Sequence, residues 1–70
     1  MDKNLIGTWS GMIWRTLEKK GRLSVEELKQ ATGLESDSVY AAIGWLARED
    51  NICFHDNNEF SVHTYHEHYY

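Results

Sequence analysis

A chain of 70 residues with a net charge of −4, no proline and a single cysteine, Cys53, has room for one domain and none for an intramolecular disulfide framework. A chain this short buries only about 60% of the surface it exposes when unfolded, so its core must be compact, and three Trp, four Tyr and two Phe suit that need. Its apolar runs fall far short of the roughly 20 residues that span a bilayer, and no basic-then-apolar signal pattern opens the chain, which predicts a reduced, cytoplasmic protein.

The stretch "LIGTWSGMIWRTLEKKG" places Leu5, Ile6, Trp9, Met12, Ile13 and Leu17 on one side at helical spacing, with Trp14 beside the stripe. Lys19 and Lys20 complement the C-terminal end of a helix dipole and Gly21 supplies a left-handed stop, so a first helix is predicted over about 6–20. Arg22 to Ser24 form a short extended bridge. "SVEE" then reads as a capping box: the Ser24 hydroxyl accepts from the Glu27 amide while the Glu27 carboxylate accepts from the Ser24 amide. A second helix follows over about 25–32, with Val25, Leu28 and Ala31 at three-residue spacing and Gly33 ending it. "GLESD" is a tight turn in which Ser36 or Asp37 caps a third helix over about 37–49.

Beyond Asn51 the period changes. Ile52 and Phe54 alternate with Cys53 and His55, and Phe60 and Val62 with Ser61 and His63, the two-residue repeat of half-buried strands in a hairpin over about 51–64. A two-residue loop at Asn57-Asn58 would set Phe54 against Ser61 and divide the apolar positions between opposite faces. A three-residue loop, Asp56 to Asn58 with Asn58 left-handed, pairs Phe54 with Phe60 and Ile52 with Val62 and is the predicted register. Tyr65 is expected at the core edge and 66–70 as a tail.

Helix, short strand, helix, turn, helix, hairpin is the order of a winged helix-turn-helix domain. This is an α+β fold of three helices and a small antiparallel sheet, in which 22–24 pairs with the second wing strand. "LSVEELKQATGLESDSVYAAIGWLAREDNI" resembles that family's core signature, with Ala31 and Gly33-Leu34 in the inter-helix turn, Val39, Ile43 and Leu46 inward on the third helix, and Ile52 opening the wing. The resemblance covers residues 5 to about 64 of the chain, and "YAAIGWLAREDNI" is similar to a family of small stand-alone bacterial and archaeal winged helix proteins of unknown function.

That resemblance implies a third helix in the major groove of DNA and a hairpin against the neighbouring phosphates. Carried onto this chain, the groove-facing set is Glu35, Ser36, Ser38, Tyr40, Ala41, Gly44, Trp45 and Arg48, with Ser36, Ser38, Tyr40, Ala41 and Arg48 as the nucleic-acid contacts. Charge opposes this. All seven cations lie at or before position 48, while 49–70 holds five acids and no Lys or Arg, and Glu35, Asp37 and the wing tip Asp56 to Glu59 stand where phosphate would lie. Arg15, Lys19 and Arg22 could share one side at the end of the first helix, and the plainer reading of such charges is a solvated face.

The third helix carries apolar character on two sides. Val39, Ala42, Ile43 and Leu46 form the core stripe, and Ala41, Gly44, Trp45 and Arg48 repeat the spacing on the other side. A mid-helix glycine costs about 1 kcal/mol against alanine, so Gly44 asks for a packing reason, and Tyr40, Trp45 and Arg48 are types enriched in binding hot spots. The expected function is protein docking through Tyr40, Ala41, Gly44, Trp45 and Arg48, onto a second copy or a different partner. The alternative is a DNA-binding regulator, and the plainer reading of Trp45 is that it folds into the side of its own core.

Four histidines, His55, His63, His66 and His68, fall near the end of the chain without the spacing of a closed zinc site. Cys53 and His55 share a strand face about 7 Å apart, too far for a ready nucleophile–base dyad. Glycine-rich phosphate loops and paired carboxylates are absent. No enzyme activity, cofactor, metal or small-molecule substrate is expected.

Overall fold

A computed structural model describes residues 2–56 and 60–64. Helix α1 runs Lys3–Lys20, beginning earlier than the apolar spacing predicts because Asp2 caps it: Asp2 Oδ1 accepts from the Asn4 amide at 2.8 Å. The helix ends as expected, with Gly21 at φ 84° and its amide donating to the Leu17 carbonyl at 2.8 Å. Ile13 and Leu17 are fully inside, Ile6, Trp9 and Met12 are half-buried, and Leu5 stays 47% exposed, so the stripe's first residue lies outside the core. Ser10, a polar residue on that stripe's edge, is buried where α1 meets the third helix.

Strand β1 is Leu23–Ser24 and α2 is Val25–Thr32. Both halves of the capping box form, at 2.9 Å for the Ser24 amide to Glu27 Oε1 and 3.2 Å for the Glu27 amide to Ser24 Oγ. Leu28 is the buried residue of this helix, whereas Ala31, at the same three-residue spacing, is exposed. Gly33 closes α2 in the left-handed region at φ 78°. The Thr32 hydroxyl then donates to the Leu28 carbonyl at 2.7 Å and accepts from the Leu34 amide at 3.3 Å. That clasp keeps the turn short.

Helix α3 is therefore entered at Ser36, not capped by it, and runs Ser36–Arg48. Neither Ser36 nor Asp37 caps the helix: Glu35 holds the cap position through its carbonyl, which accepts from the Val39 amide at 3.0 Å, and contributes no side-chain cap bond. At the far end Asp50 adopts φ 58°. Its amide reaches the Ala47 carbonyl at 3.0 Å and the Asn51 amide reaches the Leu46 carbonyl at 2.9 Å, the crossed pair of bonds of a Schellman ending.

Strands β2, Ile52–Asp56, and β3, Phe60–Thr64, complete an antiparallel sheet of order β1-β3-β2. The expected pairing of Ile52 with Val62 and Phe54 with Phe60 is corrected: Phe54 lies opposite Val62 and Ile52 opposite Thr64. The slip is two residues, which preserves the side-chain alternation, so Ile52 and Val62 still face the core and hydropathy alone could not separate the two registers. The wing-tip side chains and the tail from Tyr65 onward lie outside the described residues.

Leu23 pairs with Val62, as the bridge segment's expected partnership with the second wing strand requires. The core joins Ile13 and Leu17 to Leu28, to Val39, Ala42, Ile43 and Leu46, and to Ile52 and Val62 of the sheet. Thr64 ties β3 back to α1, its hydroxyl donating to Glu18 Oε2 at 3.2 Å. Among the described residues no helix is long and apolar enough to cross a membrane.

Candidate functional site

Val39, Ala42, Ile43 and Leu46 turn one side of α3 fully into the core, which at 3.6 residues per turn leaves the opposite side to solvent. Tyr40 is 56% exposed and Trp45 40% exposed, so Trp45 does not fold away into its own domain. Gly44 and Arg48 are exposed between and beyond them, and Ala41 is half-buried. A Cβ built on Gly44 would meet no atom within 4 Å beyond its own helix, so nothing among the described residues requires a glycine there.

The N-terminal part of the same face holds Ser36 and Ser38, both half-buried, and the exposed acids Glu35 and Asp37. The Ser38 amide donates to Asp37 Oδ1 at 3.1 Å, which fixes that carboxylate at the helix entrance. Arg48, the cation of this face, stands at the other end, in the last turn. Thus the structure brings Tyr40, Gly44, Trp45 and Arg48 onto one exposed surface and sets the two serines apart, among anionic neighbours.

Arg15, Lys19 and Arg22 are all exposed, in keeping with the plainer reading of a solvated face. Arg15 and Lys19 line a shallow groove of about 320 Å³ between α1 and α2, together with Met12, Thr16, Ala31 and Thr32. Arg22 instead lies by the wing. There, desolvation holds the His55 imidazole below its ordinary value, with smaller contributions in the same direction from the charges of Arg22 and His63.

His55 and His63 form a pairing that the expected register hid. With Phe54 opposite Val62, His63 sits opposite Cys53 and diagonal to His55, within reach of its ring. His55 Nε2 and His63 Nδ1 are 2.6 Å apart, and the rings are inclined by 26° with centres 4.6 Å apart. The sequence signal was there, since two histidines of matching parity flank the turn, but only the register says whether they meet.

Three helices with a three-stranded sheet whose last two strands form a hairpin define a winged helix-turn-helix protein. The chain belongs to the winged helix-turn-helix family DUF2582, whose model matches residues 1–64. It is 43% identical over 49 residues to the uncharacterized protein MJ1608 of Methanocaldococcus jannaschii, covering 67% of this chain and 70% of that one. Among solved structures it resembles the protein BT2368 of Bacteroides thetaiotaomicron, with 27% identity, complete coverage of both chains and a TM-score of 0.84. It also shares the fold of the Zalpha domain of Carassius auratus PKZ, solved in complex with Z-DNA. That match has 13% identity, coverage of 86% of this chain and 97% of that one, and a TM-score of 0.79.

Proposed function

We propose that this winged helix domain is a non-enzymatic docking module of the cytoplasm whose outer α3 face packs against the same face of a second copy. The carrying observation is the unexplained glycine: Gly44 is open to solvent, with exposed Tyr40 on one side and Arg48 on the other. Both flanking residues lie four positions from Gly44, about 6 Å along the axis at 1.5 Å per residue. Antiparallel pairing about a two-fold axis at Gly44 therefore sets Tyr40 of each copy against Arg48 of the other, a self-complementary cation–π contact made twice. Glycine at the axis lets the backbones approach, and Trp45 beside it supplies buried aromatic area.

Sedimentation velocity over a concentration series tests this, with Gly44→Arg as the partner experiment. A Cβ at this position meets no atom within 4 Å among the described residues beyond its own helix, so a long side chain there can point to solvent and block the axis while the fold survives. Concentration-dependent dimerisation of the wild type, lost in Gly44→Arg, is the expected result.

A second reading is DNA binding, favoured by the Zalpha neighbour's complex with Z-DNA. In that case Ser36, Ser38, Tyr40, Ala41 and Arg48 would face the duplex. Arg48 against Glu35 and Asp37 supplies little of the counterion release that phosphate contacts provide, which ranks this reading second. Affinity for duplex DNA that falls steeply from low to moderate salt would reverse the ranking.

A further inference from the structure

We propose that the outer face of the wing is a binding site for a divalent, imidazole-preferring transition metal, with His55 Nε2 and His63 Nδ1 as its two protein ligands. This site is separate from the α3 face and does not depend on it.

Geometry carries the inference. The ring centres are further apart than the two facing nitrogens by nearly the reach of both rings, and the planes differ by only 26°, so the imidazoles meet edge to edge rather than face to face. Two ring nitrogens thus aim at one point between the strands. In the metal-free pair one of them must carry a hydrogen and donate it to the other. A metal ion placed there accepts both lone pairs instead.

The rearrangement is small. Metal–nitrogen bonds of about 2.0–2.1 Å at a tetrahedral angle hold the two nitrogens about 3.3 Å apart, so the pair opens from 2.6 Å by side-chain rotation alone. Whichever ring was the donor moves its hydrogen to its far nitrogen, leaving His55 protonated at Nδ1 and His63 at Nε2. A neutral pair therefore binds the ion without releasing a proton.

Neutral imidazole pairs suit Zn²⁺, Cu²⁺ and Ni²⁺ and are poor ligands for Mg²⁺ or Ca²⁺, which want oxygen. The rings are half-buried on the sheet face turned away from the core, so an ion can reach them. Cys53, a free half-buried thiol, lies directly across from His63 on that face. No three His, Cys, Asp or Glu groups among the described residues are close enough to form a fuller site, so the two imidazoles are the ligands that the described residues supply. Arg22 is the cation that opposes occupancy.

The test is a zinc chloride titration of the full chain at neutral pH, read on the imidazole nitrogen resonances by NMR. One equivalent should shift His55 Nε2 and His63 Nδ1, and the double variant His66→Ala/His68→Ala should bind as the wild type does. Either His55→Ala or His63→Gln, each first shown to keep the wild-type amide spectrum, should weaken binding at least about tenfold, since even supporting groups behind a ligand are worth that much. Arg22→Ala should tighten it. Zinc shifts confined to His66 and His68, or none in the His55 and His63 rings, would overturn the site.

Discussion

The Ser10 hydroxyl stands 3.5 Å from the carbonyl oxygen of Ala42, where α1 crosses α3, and donates its hydrogen at 2.7 Å to the Ile6 carbonyl of its own helix. Two small residues, 4% and 0% exposed, let the helix backbones approach here, and the hydroxyl satisfies itself without needing the other helix. Ser10→Ala should therefore cost less than about 1 kcal/mol, the net worth of one hydrogen bond. Ser10→Leu should cost about 1–3 kcal/mol by overpacking the crossing. Urea midpoints of the two variants, read by tryptophan fluorescence, check the contrast.

Asp50 occupies the left-handed position of the α3 ending at φ 58°, the conformation in which glycine is free of strain. Asp50→Gly should raise stability by about 0.5–1 kcal/mol, because relief of that strain outweighs the added freedom of the unfolded chain. Thermal unfolding of the variant beside the wild type is the measurement. A lower midpoint would show that the Asp50 side chain makes a contribution the backbone does not explain.

The capping box of α2 gives a pH signature. The Ser24 amide, then the Ser24 hydroxyl, hold the Glu27 carboxyl below its ordinary value near 4.5. A carboxyl with a lowered folded-state value stabilises the fold above that ordinary value, and the contribution disappears as pH falls through the folded one. Glu27→Gln should flatten the loss of stability between pH 5 and pH 3, roughly the range in which an ordinary carboxyl titrates. Ser24→Ala should cost about 1 kcal/mol at neutral pH. Denaturant titrations at several pH values separate the two effects.

How far the sequence disclosed this fold depends on how local each determinant is. The bounds of α2 were legible because Ser24, Glu27 and Gly33 each act within a few residues, and the inward set on α3 because its spacing is regular. The start of α3 was not, since Glu35 holds the cap position through its carbonyl alone and makes no side-chain cap bond of the kind a cap residue type announces. The hairpin register was missed by two residues because a slip of even length conserves the pattern being read, and the His55–His63 contact vanished with it. At the candidate site, the sequence displayed two-sided α3, but only the structure shows Trp45 exposed and the space at Gly44 empty.

Gly44 also separates folding from binding. With nothing within 4 Å of its missing Cβ, Gly44→Ala should stabilise the monomer by up to about 1 kcal/mol through helix propensity. In a helix pair closed on that glycine, the same methyl group should loosen association. A thermal-shift measurement at low concentration and a dimer dissociation constant from sedimentation should move in opposite directions.

The most direct measurement is the sedimentation coefficient of the full chain, from micromolar to millimolar concentration, for the wild type and Gly44→Arg. Pairing through the outer α3 face requires that the wild type pass from monomer to dimer while Gly44→Arg stays monomeric and folded throughout. A wild type that remains monomeric at millimolar concentration, or a Gly44→Arg variant that dimerises as the wild type does, would contradict it.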